Sequence, residues 1–154
     1  MRFLRTLLVF KLGAYAGLAG AAALMKRALP SRGDETSDEL GLVAIFDGVR
    51  LESRAQAFRG GSALAWFGGI EIDLREAALA ADARLRTTAL FGGVSLRVPD
   101  GWRVESHVTT LAGGVDVRAA DAPGADAPTL GVEGLAAFGG VSIAARAPAA
   151  KSET

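Results

Sequence analysis

Glu71 and Asp73 lie two residues apart in the run Gly68-Gly69-Ile70-Glu71-Ile72-Asp73, with Glu76 close behind. On an extended strand that spacing turns both carboxylates to one face, the arrangement that acid–base cleavage of a glycosidic bond needs. The plainer reading is a solvated strand face, and it is the one preferred. The same run resembles the calcium-binding Gly-Gly nonapeptide repeat, but the apolar Ile70 after the glycine pair breaks that pattern and no other repeat supplies Asp at the phase. His107 is the single histidine, and its place in an alternating segment points it outward as an ordinary surface residue. Gly60-Gly61 and the other glycine pairs lack the strand-to-helix context of a phosphate loop. Trp66 and Trp102 read as core, or as cover at the end of the fold, rather than as ligand platforms. The expectation is therefore no catalytic residue, no cofactor and no metal site.

Positioning comes from a repeat. Five segments match: AIFDGVRLE at Ala44, AWFGGIEID at Ala65, ALFGGVSLR at Ala89, TLAGGVDVR at Thr110 and AAFGGVSIA at Ala136. The first position of the Gly-Gly pair falls at 47 (as Asp47), 68, 92, 113 and 139, at intervals of 21, 24, 21 and 26 residues. A period in this range is that of a solenoid with one coil per repeat. After each pair the chain alternates: Ile70, Ile72 and Leu74 against Glu71, Asp73 and Arg75, then Val94, Leu96 and Val98 against Ser95 and Arg97. Such a period of two marks half-buried strands. Second strands lie between, as where Trp102, Val104, Ser106 and Val108 turn inward against Arg103, Glu105 and His107.

Glycine weakens a strand, so its recurrence at one phase predicts a corner that needs positive φ or close approach of the next coil. The corner glycines are Gly48, Gly68, Gly69, Gly92, Gly93, Gly113, Gly114, Gly139 and Gly140. Phe46, Phe67, Phe91 and Phe138 precede them and should stack at the coil spacing of about 4.8 Å, with Ala112 leaving a gap. In-phase stacking puts Arg50 beside Glu71 and Asp73 beside Arg97. Leu74 to Leu85 has helical composition, but the alternation of Ala83, Leu85 and Thr87 against Arg84 and Arg86 favours strand. Val98-Pro99-Asp100-Gly101 reads as a turn and Asp121 to Thr129 as a loop.

Before the repeat, Leu7 to Met25 is a 19-residue apolar stretch with one charge, Lys11, near an end. It is long enough to span a bilayer core of about 30 Å. Residues 1–28 are expected to form a single-pass membrane anchor. A cleaved signal peptide competes through basic Arg2 and Arg5 and small Ala21 to Ala23, but the length of the run and Lys26-Arg27 favour retention. Basic residues are balanced across the segment, so the side that the domain faces is left open. Gly13, Gly17 and Ala21 have the spacing of close-packing membrane helices, which chance in an Ala-rich chain explains equally well. Residues 29–39 read as an acidic linker, 40–146 as the β-domain and 147–154 as a disordered tail.

The whole chain has 154 residues, 17 Lys+Arg against 17 Asp+Glu and no cysteine. A zero charge balance gives no field for a polyanion, which argues against nucleic acid, and the missing thiols exclude disulfides and Cys-ligated metals.

The run SDELGLVAIFDGVRLESRAQAFRGGSALAWFGGIEIDLREA, with LFGGVSLRVPDGWRV and LAGGVDV, resembles the C-terminal toast-rack domain of LiaF-like cell-wall-active-antibiotics response proteins. The likeness spans about Ser37 to Ile143. It implies an all-β, single-stranded β-solenoid, here of about five coils behind one transmembrane helix, and a non-enzymatic role in bacterial envelope-stress signalling. The partners it implies are membrane-bound sensors or other envelope proteins. One candidate membrane helix stands where LiaF-type proteins have several, a departure that bears on any sensor-inhibiting role. A self-assembling scaffold is the alternative, since coil edges can pair with another copy, and a carboxylate glycan hydrolase is a third.

Overall fold

The computed structural model describes residues 20–21, 23–25, 27–118 and 124–147. The chain divides into two compact units, Met1–Pro30 and Ser31–Thr154. In the first, the described residues from Gly20 to Ala28 are helical. No helix among the described residues is long and apolar enough to cross a membrane. The expected anchor over Leu7 to Met25 falls largely outside the described residues, as does the expected tail 147–154 except for Ala147.

The second unit is mostly β. Its strands are β1 (Glu39–Ile45), β2 (Gly48–Glu52), β3 (Phe58–Trp66), β4 (Gly69–Asp73), β5 (Leu79–Leu90), β6 (Gly93–Pro99), β7 (Arg103–Arg118) and β8 (Thr129–Arg146). They pair in parallel in the order β1-β3-β5-β8-β6-β4-β2, with β7 also on β8. The long β8 runs along both faces and joins them, which gives the sheet a solenoid-like arrangement. Leu74 to Leu85 turns over Arg75-Glu76 and then enters β5, so alternation outweighs helical composition there.

Stacked levels follow from the register. The first level is β1 with β2, the second β3 with β4 and the third β5 with β6. Upon the third lies β8, and β7 lies beyond β8. Repeat order and spatial order therefore part company, because the fifth repeat inserts between the third and the fourth. The last strand in sequence, β8, therefore lies inside the stack and β7 ends it. Side chains explain the choice. The inward residues of β8, Leu130, Val132, Ala136, Val141 and Ile143, are all at most 2% exposed, whereas β7 offers Ser106 and Thr110 at corresponding places. Burying β8 removes more apolar surface from water than burying β7 would.

The core is a ladder of like residues. Ala44, Ala65, Ala89 and Ala136 stand in register and are buried just before the corner, where small side chains let the two faces converge. Ile70, Val94 and Val141, then Ile72, Leu96 and Ile143, do the same after it. Thr87, buried in this ladder, donates its hydroxyl to the Glu133 carbonyl at 3.3 Å. The extra residues of the 24-residue interval are absorbed between Leu79 and Arg84, where the β3–β5 register shifts and Asp82 takes φ 57°.

Segment 31–38 lies against β1. Arg32 forms an antiparallel bridge with Gly41, and the Ser31 hydroxyl accepts from the Val43 N–H at 3.0 Å. Asp34 Oδ1 accepts from the Thr36 N–H and hydroxyl and from the Ser37 hydroxyl, each at 2.9 Å, and these bonds hold its carboxyl below the usual value. What reads in the sequence as a polar linker is thus hydrogen-bonded onto the edge of the first level.

Candidate binding surface

The corner has one construction on four levels. Phe46, Phe67, Phe91 and Phe138 take φ 53°, 54°, 54° and 54°, so the left-handed conformation belongs to the phenylalanines. The first glycine of each pair serves the other purpose expected of it, close approach. A Cβ on Gly68, Gly92 or Gly139 would sit 2.2, 2.1 or 2.1 Å from the carbonyl oxygen of Asp47, Gly68 or Gly92 on the neighbouring level. Asp47 itself belongs to the first level, with no earlier repeat beneath it, and so has room for a side chain. Gly113 combines both demands, with φ 145° and a Cβ position 1.8 Å from the Gly139 oxygen.

Positive φ sends the four rings outward. They stack with centroids 4.9, 4.8 and 5.0 Å apart and planes within 4°. Each is between 44% and 63% exposed, so the column is a surface feature, whereas most rings of this size are buried. Because β8 sits next to β6, Phe138 follows Phe91 directly and the gap at Ala112 falls at the end of the column instead of inside it. The strain of φ > 0, about 1 kcal/mol or more per residue, is offset in part by stacking worth about 0.5–1.5 kcal/mol per pair.

Two residues after each phenylalanine comes the second glycine. Gly48, Gly69, Gly93, Gly140 and Gly114 form the floor of an open groove of about 900 Å³ that crosses every level. Arg50, Glu71, Ser95, Ser142 and Asp116 stand along it, since strand alternation turns each to the same outer face. With no side chain on the glycines the floor is bare main chain, and because the Gly69, Gly93 and Gly140 N–H groups are bonded to the Asp47, Gly68 and Gly92 carbonyls, a ligand meets that floor by packing. The sequence signal for this groove, Gly followed two positions later by a polar residue at every repeat, was available but is read there only as a corner.

The acidic residues on these strands are each tied to an arginine. Register places Arg50 beside Glu71 and Asp73 beside Arg97, as in-phase stacking requires. Glu71 pairs with Arg50 at 3.5 Å and closely with Arg97. Asp73, 6% exposed, is held bidentately by Arg75 at 2.7–3.0 Å, with Arg97 at 3.9 Å. Burial pushes the Asp73 carboxyl up, but hydrogen bonds from the Arg75 side chain and backbone and the charges of Arg75 and Arg97 outweigh it and hold it below the usual value. A general acid needs the opposite shift. Glu76 pairs with Arg54 at 3.0 Å instead. His107 is exposed on β7, Trp102 is buried, and Trp66 is half-buried beside Phe67 with centroids 6.4 Å apart. Among the described residues no group of acidic, histidine or cysteine side chains is placed to hold a metal ion.

Comparison with protein-family models, with curated proteins and with solved structures finds no match to this chain.

Proposed function

We propose that this chain is a membrane-anchored, non-enzymatic β-solenoid of five coils that binds another envelope protein and regulates a membrane-bound sensor in the bacterial envelope-stress response. The observation that carries the reading is the glycine-floored groove running beside an exposed phenylalanine ladder. Together they offer a floor free of side chains over all five levels and apolar ring edges over four of them, a surface suited to an extended protein segment. The tethered carboxylates support it from the other side, because arginine-locked anions serve charge and register rather than proton transfer. The apolar run Leu7 to Met25 supports the anchor, and the LiaF-like run from Ser37 supports the signalling context.

The test is site-specific photocrosslinking in the native membrane, with the reactive residue in place of Ser95 on the groove. Capture of an integral-membrane sensor protein is the expected result. Capture of the chain alone would favour a self-assembling scaffold, and capture of a glycan would return the hydrolase; either would overturn the regulatory reading.

A further inference from the structure

The two ends of the stack differ. At the first level, segment 31–38 is bonded to β1, and Leu40 and Leu42 are only 2% and 3% exposed. At the other end, β7 pairs only with β8 among the described strands, leaving a 16-residue edge with unused N–H and C=O groups. Its inward side chains are also incompletely covered. Val104, Val108 and Val115 are half-buried and Val117 is 39% exposed, while Leu111 at the corner is 72% exposed. Long open edges with apolar residues behind them are sites of strand addition.

We infer that this end is a dimer interface, taken by β7 of a second copy in antiparallel, two-fold pairing. The strand itself supplies the argument. It runs along one face from Arg103 to Thr110, turns at Leu111-Ala112 and continues along the other face from Gly113 to Arg118. A two-fold axis through that corner lays each face of one copy antiparallel on the opposite face of the other. The bulge at the corner shifts the alternation, so the inward residues are Val104, Ser106, Val108 and Thr110 before it and Val115 and Val117 after it. With the axis between Leu111 and Ala112, inward meets inward: Val108 faces Val115 and Ser106 faces Val117 of the second copy. On the outer side Glu105 faces Arg118, and His107 faces Asp116.

Charge selects this register. Sliding one copy until Arg103 meets Arg118 also brings Glu105 against Asp116, and like charges directly across a strand pair are destabilising. Sliding further, to set Arg103 against Asp116, moves the axis off the corner to Thr109-Thr110 and leaves Glu105 opposite Gly114. Arg118 and Asp116 now pair within one strand at 2.9 Å on an exposed face, and both are free to reach across. A two-fold contact uses the β7 edge of both copies and so closes at two; at the first level segment 31–38 covers β1, while β2 pairs with β4 alone among the described strands. This inference does not depend on the regulatory role.

The chain has no cysteine, so single introduced thiols report the geometry cleanly. In the full-length protein in detergent micelles, Leu111→Cys lies next to the axis, and mild oxidation should link it into dimers at least tenfold faster than Gln56→Cys on an exposed turn. Gln56→Cys, beside segment 31–38 where the Ala57 N–H bonds Asp38 Oδ1 at 3.2 Å, is the reference for association through the N-terminal segment. In the Leu111→Cys background, Glu105→Arg should slow linkage several-fold, and adding Arg118→Glu should restore it by reversing the pair. Equal rates for Leu111→Cys and Gln56→Cys would overturn the interface. A slowed Glu105→Arg chain that Arg118→Glu fails to rescue would overturn the register.

Discussion

Within one glycine pair, the two residues should respond oppositely to the same methyl group. A Cβ on Gly92 would lie 2.1 Å from the Gly68 carbonyl oxygen and 3.0 Å from its nitrogen. Ordinary contact at about 3.5 Å then requires the levels to part by more than about 1 Å. That movement breaks the Gly93 N–H bond to the Gly68 oxygen at 3.0 Å and strains the Phe67 N–H bond to Leu90 and the Phe67–Phe91 stack at 4.8 Å. Disrupting a backbone bond at roughly 1–3 kcal/mol and weakening a stack at roughly 0.5–1.5 kcal/mol gives a loss of about 2–4 kcal/mol for Gly92→Ala. At about 4 °C per kcal/mol for a domain of this size, Tm should fall by roughly 8–16 °C. A Cβ on Gly93 meets nothing nearer than the Gly140 oxygen at 3.6 Å, and its φ is not positive. Gly93→Ala should therefore stay within about 1 kcal/mol of wild type, helped by the smaller conformational freedom of alanine in the unfolded chain. Thermal unfolding followed by tryptophan fluorescence decides the matter. Equal losses for the two variants, or a Gly92→Ala Tm within about 2 °C of wild type, would refute close approach as the reason for the first glycine.

Phe91 sits at φ 54° between two stacked rings. Phe91→Gly and Phe91→Ala lose the same stacks, but glycine relieves about 1 kcal/mol of left-handed strain, so the glycine variant should be the more stable, an inversion of the usual order in strands. Urea unfolding of the two variants tests this, and a more stable alanine variant would show that the corner does not hold Phe91 as described. Asp73 is held below its ordinary value of 3.8, so its contribution is full above about pH 4 and is lost as pH falls through the lowered value in the folded state. The stability gap between wild type and Asp73→Asn should therefore narrow from pH 6 to pH 3; a gap that is constant or widens would mean that Asp73 is not held as an anion by Arg75 and Arg97.

Much of the architecture is written in local pattern. Alternation of Ile70 and Ile72 against Glu71 and Asp73 marks a strand because side chains leave a strand on opposite faces at every step. The common phase of Gly68, Gly92 and Gly139 marks a corner, and the phenylalanines beside them mark a stack, since identical repeats must superpose. Those same facts set Arg50 beside Glu71. Segment 31–38 carries no such period, so its docking onto β1 through Arg32 and Ser31 is invisible until the edge it covers exists. The groove likewise arises only when five separate glycines are brought into one column.

The sequence by itself determined the strands, their inward faces, the corner phase and the lateral register, because each depends on residues close in the chain or on the repeat period. Tertiary structure decided which residue bears the positive φ, which carboxylate Arg97 holds most closely, and the order of the levels. Each repeat presents nearly the same edge, so backbone pairing alone cannot rank the stacking orders. The ranking comes from long-range burial. Phe138 continues the ring column where Ala112 would break it, and Leu130, Val132, Val141 and Ile143 fill a core that Ser106 and Thr110 would leave polar. The fifth repeat is drawn inside the stack for that reason, and the fourth is left at the open end.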